Sequence, residues 1–185
     1  MSVSKKENVQ LFGTRYPAGL TELRLDYIPN PKGLSALKDF RHLSYLGLHN
    51  SNIDDRGLEY VSRCESLENI NLQATAITDK GIEFLSRLPH LKYLRLKECE
   101  GITNASVPFF NAMNSLLDLQ IHETDTDENG LQHLEMPGLR SLIIEVWRDN
   151  FSYDFLIGLS TRLPNCEILA KGRGTFKAGV FEGVW

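Results

Sequence analysis

Few residues of this 185-residue chain are of types that do chemistry, and their spacing argues against most of it. Cys64, Cys99 and Cys166 are an odd number of thiols set far apart, which makes neither a disulfide framework nor a zinc cluster. A thiol or metal hydrolase is the catalytic alternative, and it would show as activity lost on Cys99→Ser. Of the five histidines, His49 and His122 occupy equivalent positions, but three strand spacings put them about 14 Å apart, too far to share a metal ion. His42, His90 and His133 fall at the ends or outer parts of helical segments. The run from Asp125 through Asp127 and Asn129 to Gly130 imitates the first half of a calcium-binding loop. Such a loop needs a bidentate glutamate at its twelfth position, and that residue is Met136. Gly172-Arg173-Gly174 lacks the strand and helix that a phosphate-cradling loop joins, and reads as a turn. Nucleophile-elbow, zinc-protease, P-loop and kinase signatures are all missing. The expectation is a protein that is not an enzyme and uses no metal and no cofactor.

Composition points the same way. Hydrophobic residues make up 42% and charged residues 24%, ordinary for a soluble globular domain. A net charge of -4 argues against a nucleic-acid partner or an anionic membrane, both of which favour a basic face. No apolar run reaches the roughly 18 residues of a membrane span, and the N-terminus has no secretory apolar stretch. With wide-set cysteines, these features predict a cytoplasmic monomer. Asn104-Ala-Ser106 and Asn150-Phe-Ser152 match the glycosylation pattern but are discounted without an export signal.

What would position any functional side chain is a repeat. Residues 67–90 hold one full copy: Leu67, Ile70 and Leu72 in the order L-x-x-L-x-L, then Thr75 and Ile77, a helix start at Thr78-Asp79-Lys80-Gly81, and a stripe at Ile82, Leu85 and Leu88. A strand period gives way to a helical one inside a single unit. Copies open at Leu20, Leu43, Leu67, Leu91, Leu116 and Leu139, and a partial one at Cys166. Asp54, Thr78, Thr103 and Asp127 are the expected helix caps, because their side-chain oxygens suit a free backbone N–H. The sixth unit is longer, with Trp147, Asn150, Phe151 and Tyr153 where the others have a tight loop, and its helix is expected near Tyr153-Asp154.

The unit L-x-x-L-x-L-x-x-T-x-I-T-D-x-G-L resembles the leucine-rich repeat family in its 24-residue subclass, found in the cysteine-containing repeats of ubiquitin-ligase substrate receptors and in many bacterial proteins. The resemblance runs from about Leu20 to Cys166, and Leu163-Pro-Asn-Cys-Glu-Ile168 looks like a common ending of such arrays. It implies an α/β right-handed solenoid, a horseshoe with parallel strands on the concave face and helices on the convex face. One domain is expected: an N-terminal cap at 1–19, six repeats over 20–165, and a last strand with a C-terminal cap at 166–185. The family usually holds a partner on the concave face.

Alternation along each strand sends the leucines inward and the x positions outward. The outward columns read Glu22, Tyr45, Asn69, Tyr93, Asp118, Ser141; then Arg24, Gly47, Asn71, Arg95, Gln120, Ile143; then Asp26, His49, Gln73, Lys97, His122, Glu145. Tyr45, His49, Asn71, Gln73, Tyr93, Arg95, Lys97, Gln120 and His122 are the candidate partner-binding residues, since tyrosine and arginine anchor interfaces. The expected function is a protein-binding scaffold. One alternative is an inhibitor or immunity-type protein that neutralises a toxin or enzyme. Another is a substrate-recruiting subunit of a ubiquitin-ligase-like complex, against which only about 19 residues precede the repeats, too few for an adaptor-binding module. Ile143 breaks the polar pattern and Ile168 and Ala170 are expected to follow it. That apolar spot is either a hot spot for a partner or the floor on which Phe176, Phe181 and Trp185 of the tail pack.

Overall fold

The computed structural model describes residues 7–147 and 149–185. The first six residues of the expected N-terminal cap lie outside the described residues. Three-residue strands recur once per unit: β3 (Glu22–Arg24), β4 (Tyr45–Gly47), β5 (Asn69–Asn71), β6 (Tyr93–Arg95) and β7 (Asp118–Gln120), followed by the longer β8 (Ser141–Glu145) and β9 (Glu167–Lys171). They pair in parallel, neighbour to neighbour, in the register the leucine alignment predicts as far as β8. The middle leucine of each strand is buried: Leu23, Leu46, Ile70, Leu94, Leu119 and Leu142 are each at most 4% exposed. Full burial of one such side chain contributes about 1.5–3 kcal/mol. One continuous core therefore runs the length of the stack.

The return segments are short. The first is a 3-10 helix, Pro31–Asp39, entered through Pro31 at its first position. Then come α1 (Asp55–Val61), α2 (Asp79–Leu85), a 3-10 turn at Asn104–Ser106 leading into α3 (Val107–Ala112), α4 (Glu128–Leu131) and α5 (Tyr153–Arg162). Asp54, Thr78, Thr103 and Asp127 cap four of these starts, each accepting from a backbone N–H two or three residues on. No helix among the described residues is long and apolar enough to cross a membrane.

The residue after each cap does something the sequence reading missed. Asp55 accepts from the backbone N–H and the hydroxyl of Thr78 in the next unit, at 2.8 and 2.7 Å. Asp79 does the same for Thr103, at 2.9 and 2.7 Å, and also accepts from the buried Ser106 hydroxyl. Asn104 accepts from the Asp127 N–H, and Glu128 from the Ser152 N–H and hydroxyl. The residue after each cap, an acid in three starts and Asn104 in the other, is therefore a latch onto the following unit rather than a cap. The bonds to the three carboxylates are charge-assisted, about twice as strong as neutral ones.

The last unit corrects an expectation. Cys166 keeps the opening slot, its N–H donating to the Leu163 carbonyl as that of Leu139 does to Met136. One residue is missing between that slot and the strand, however, so Ser141 pairs with Glu167 and the strand-to-strand step is 26 residues, not 27. A one-residue slip swaps the two faces of a strand. Ile168 and Ala170 are fully buried, and it is Leu169, beside Ile143, that faces outward at 36% exposure.

Beyond β9 the sheet continues through β10 (Gly174–Lys177) and β11 (Val180–Gly183), both antiparallel. Phe176 lies opposite Ile168, on the core side. Its ring and those of Tyr153, Phe181 and Trp185 pack with centroids 4.5–6.1 Å apart. The tail therefore packs against α5 and the core, and Ile143 and Leu169 stay on the open face. At the other end, β1 (Asn8–Leu11) and β2 (Thr14–Pro17) form a separate hairpin that buries Val9 and Leu11 in the same core. The β1–β2 and β10–β11 hairpins each turn on two residues at positive φ, Phe12-Gly13 and Ala178-Gly179, as suits a two-residue loop between twisted strands.

Candidate partner-binding surface

The ladder register lines up the three outward columns. Tyr45, Asn69, Tyr93, Asp118 and Ser141 lie side by side, as do Gly47, Asn71, Arg95, Gln120 and Ile143, on strands about 4.8 Å apart. Tyr93 is 44% exposed, the most open aromatic in these columns. Tyr45 is half-buried, with the Arg24 guanidinium over its ring at 5.2 Å. Asn71 and Gln120 are half-buried and locally engaged. The Asn71 oxygen accepts from the Gln73 N–H at 3.0 Å, and the Gln120 amide donates to Asp118 at 2.9 Å. Gln73 and His49 are half-buried as well.

Lys97 is held between two carboxylates, Glu98 at 2.6 Å and Glu123 at 3.2 Å. Those bonds, to Glu98 first, raise its pKa, and the bond from Lys97 in turn holds the Glu98 carboxyl below its usual range. Neither glutamate was singled out from sequence. Both sit where the backbone turns at positive φ (60° each), the place held by Asn50 and Ala74 in earlier units and Asp149 in the next. That recurrence was the available signal.

His122 departs from expectation. Alternation puts it on the outward side, next to Lys97, yet it is only 2% exposed. The charged groups around it are Lys171, Glu123, Lys97 and Arg95. Burial, with help from Lys171, Lys97 and Arg95 against Glu123, pushes its pKa from 6.5 down to about 4, so the ring is neutral at pH 7. Alternation sets which side of the sheet a side chain takes, not how far its neighbours bury it.

Among the described residues, four side-chain nitrogen or oxygen atoms are buried without a hydrogen bond: His49 Nδ1, Arg95 Nε, and both ring nitrogens of His122. All four belong to the outward columns. A buried polar atom left unpaired costs about 1–3 kcal/mol.

At the rim, a cleft of about 730 Å³ opens where the sixth unit loosens, lined by Glu123, Asp125, Asp127, Glu145, Trp147 and Asn150. Trp147 is 61% exposed, and its backbone N–H donates to the Asn150 side-chain oxygen at 2.8 Å. Asp127 already accepts from the Asn104 amide and the N–H groups of Asn129 and Gly130, so repeat geometry employs the residue that suggested a calcium loop. The three cysteines are buried, which raises each thiol's pKa, that of Cys166 to about 12, and leaves no ready thiolate. The Cys99 thiol lies 3.1 Å from the Leu72 carbonyl and donates to it across the stack.

The chain matches no protein-family model and no curated protein. Among solved structures, an internalin (inlF) from Listeria monocytogenes aligns with a TM-score of 0.56 at 20% identity, over 82% of this chain and 42% of its own. The leucine-rich repeat ectodomain of the Arabidopsis receptor kinase HAESA, in complex with an IDA peptide hormone, gives 0.49 at 17% identity over 83% and 25%. A TLR13 complex with single-stranded RNA gives 0.40 at 13% identity over 84% and 30%. The last two overlaps are too loose to carry weight. The internalin likeness speaks for fold alone, and this chain spans less than half of that protein. Taken with the parallel ladder and the once-per-unit helix starts, it shows that the chain folds as a leucine-rich repeat solenoid.

Proposed function

We propose that the chain is a protein-binding module that holds one compact partner or peptide segment on the concave sheet face and does no chemistry itself. The observation that carries this reading is where the unpaired buried atoms lie. Elsewhere among the described residues every buried side-chain polar atom has a partner, and the exceptions, on His49, Arg95 and His122, all lie in the outward columns. Tyr45, Asn71, Gln73, Tyr93, Lys97 and Gln120 surround them and complete the site. The stacked strands fix these side chains before binding, so few rotamers are lost on association.

The module is one domain, with residues 1–19 and the hairpin after residue 166 acting as caps on a six-repeat array, and it works as a monomer. Buried, unpaired thiols suit a reducing compartment, so the cytoplasm is its proposed location.

The test is affinity capture with the full chain, a Tyr93→Ala/Lys97→Ala version, and an Arg63→Ala version altered on the helical side. A partner kept by Arg63→Ala and lost by the concave double variant is the expected result. Equal capture by all three overturns the site.

A further inference from the structure

The unpaired atoms on the concave face include donors for an anion. Arg95 Nε–H is one, and each neutral imidazole brings one donor and one acceptor nitrogen, the acceptor becoming a second donor on protonation. Arg95 and His122 belong to adjacent units, since Arg95 pairs with Gln120 and His122 lies two residues on, on the same face. Lys97 and Lys171 stand beside them, close enough to act on the His122 charge. Against these cations the sheet sets Glu98 and Glu123, and both are spent on Lys97. Glu145 completes the column next to His122.

We infer that this spot receives a carboxylate from the partner: an Asp or Glu side chain, or a chain end, that takes Lys97 over from Glu123 and, as those side chains part, accepts from Arg95 and His122. The inference rests on the concave-face reading above and gives it a chemistry. In the unbound protein Glu98 and Glu123 hold Lys97 in place, and the incoming carboxylate replaces one of them. A polyanion such as RNA fits less well. The cations Arg95, Lys97 and Lys171 are matched by Glu98, Glu123 and Glu145, so the face offers one anion seat rather than a basic track.

Selection of short random peptides against the full chain tests this. Peptides that bind are expected to be rich in Asp or Glu relative to the input, and to compete with one another. Arg95→Gln should weaken a selected acidic peptide by about tenfold or more, the usual loss for a charge-assisted bond. Glu123→Gln, at an exposed position that leaves the core alone, should strengthen it severalfold by releasing Lys97.

Binders that are neutral or basic yet sensitive to Arg95→Gln would overturn the carboxylate while leaving the concave site standing. So would weaker or unchanged binding in Glu123→Gln. Salt-sensitive binding of a single-stranded oligonucleotide that displaces the peptides would likewise overturn it in favour of nucleic acid. A selection that yields no binder sensitive to Arg95→Gln counts against the concave site itself, and the inference falls with it.

Discussion

The helix-start edge and the centre of the concave face both carry polar side chains and treat them in opposite ways. At the edge, Asp55, Asp79, Asn104 and Glu128 each accept from the next unit, and the cap hydroxyls, backbone N–H groups and the buried Ser106 are all paired. At the centre, His49, Arg95 and His122 hold buried nitrogens that pair with nothing among the described residues. Repeat architecture accounts for the first arrangement completely, because every unit needs its neighbour fixed in position. It does not account for the second. A stacked sheet could carry Ser, Thr or Gln in those columns at no such cost, and the proposed concave site rests on that contrast.

Several substitutions bear on that contrast. The largest effect is expected at the edge. Asp79→Ala removes the acceptor for the Thr103 N–H, the Thr103 hydroxyl and the Ser106 hydroxyl, and should lower stability by about 3 kcal/mol in denaturant melts. Partner affinity should be unchanged once the protein is folded. A loss of affinity with no loss of stability would break the assignment of edge to structure.

The next effect belongs to the centre and appears as pH dependence. The folded pKa of His122 is about 4 and its unfolded value about 6.5, so the unfolded chain binds more protons between those limits. The stability that comes from keeping the ring neutral is complete above pH 6.5 and is lost as pH falls towards 4. The neighbouring charges lie near solvent, which limits the loss to about 2 kcal/mol. Melting curves of the native chain and of His122→Gln should diverge over that window and run parallel above it. Identical slopes would mean that the ring titrates as a free histidine.

A smaller effect tests the rim. Ala74 holds φ at 54°, a region costly for a residue with a Cβ, whereas asparagine at the equivalent Asn50 tolerates it. Ala74→Gly should raise stability by up to about 1 kcal/mol, and Asn50→Gly should change it less.

The sequence shows the fold and the frame of the site because both follow from alternation and period. Leucines two and three residues apart fix which side chains share a column, and the ladder reproduces those columns from Glu22 to Ser141. Three features were hidden for distinct physical reasons. The burial of His122 is set by neighbours on other strands, which the period of its own strand does not carry. The inter-unit latches pair residues about one repeat apart, although acids or amides recurring at Asp55, Asp79, Asn104 and Glu128 were there to be aligned. The phase of the last strand turned on one missing residue after Cys166, and a leucine alignment with a single remaining anchor cannot register such a slip. That slip moved Ile168 and Ala170 inward and left Leu169 beside Ile143 on the open face.

The most direct test is one substitution read in two ways. His122→Leu keeps a side chain of similar size and removes both unpaired ring nitrogens. The melting temperature should rise by a few degrees, corresponding to about 1 kcal/mol, while affinity for the concave-face partner falls by about tenfold. A lower melting temperature with affinity intact would contradict the account, because it would make His122 a structural residue already satisfied where it lies.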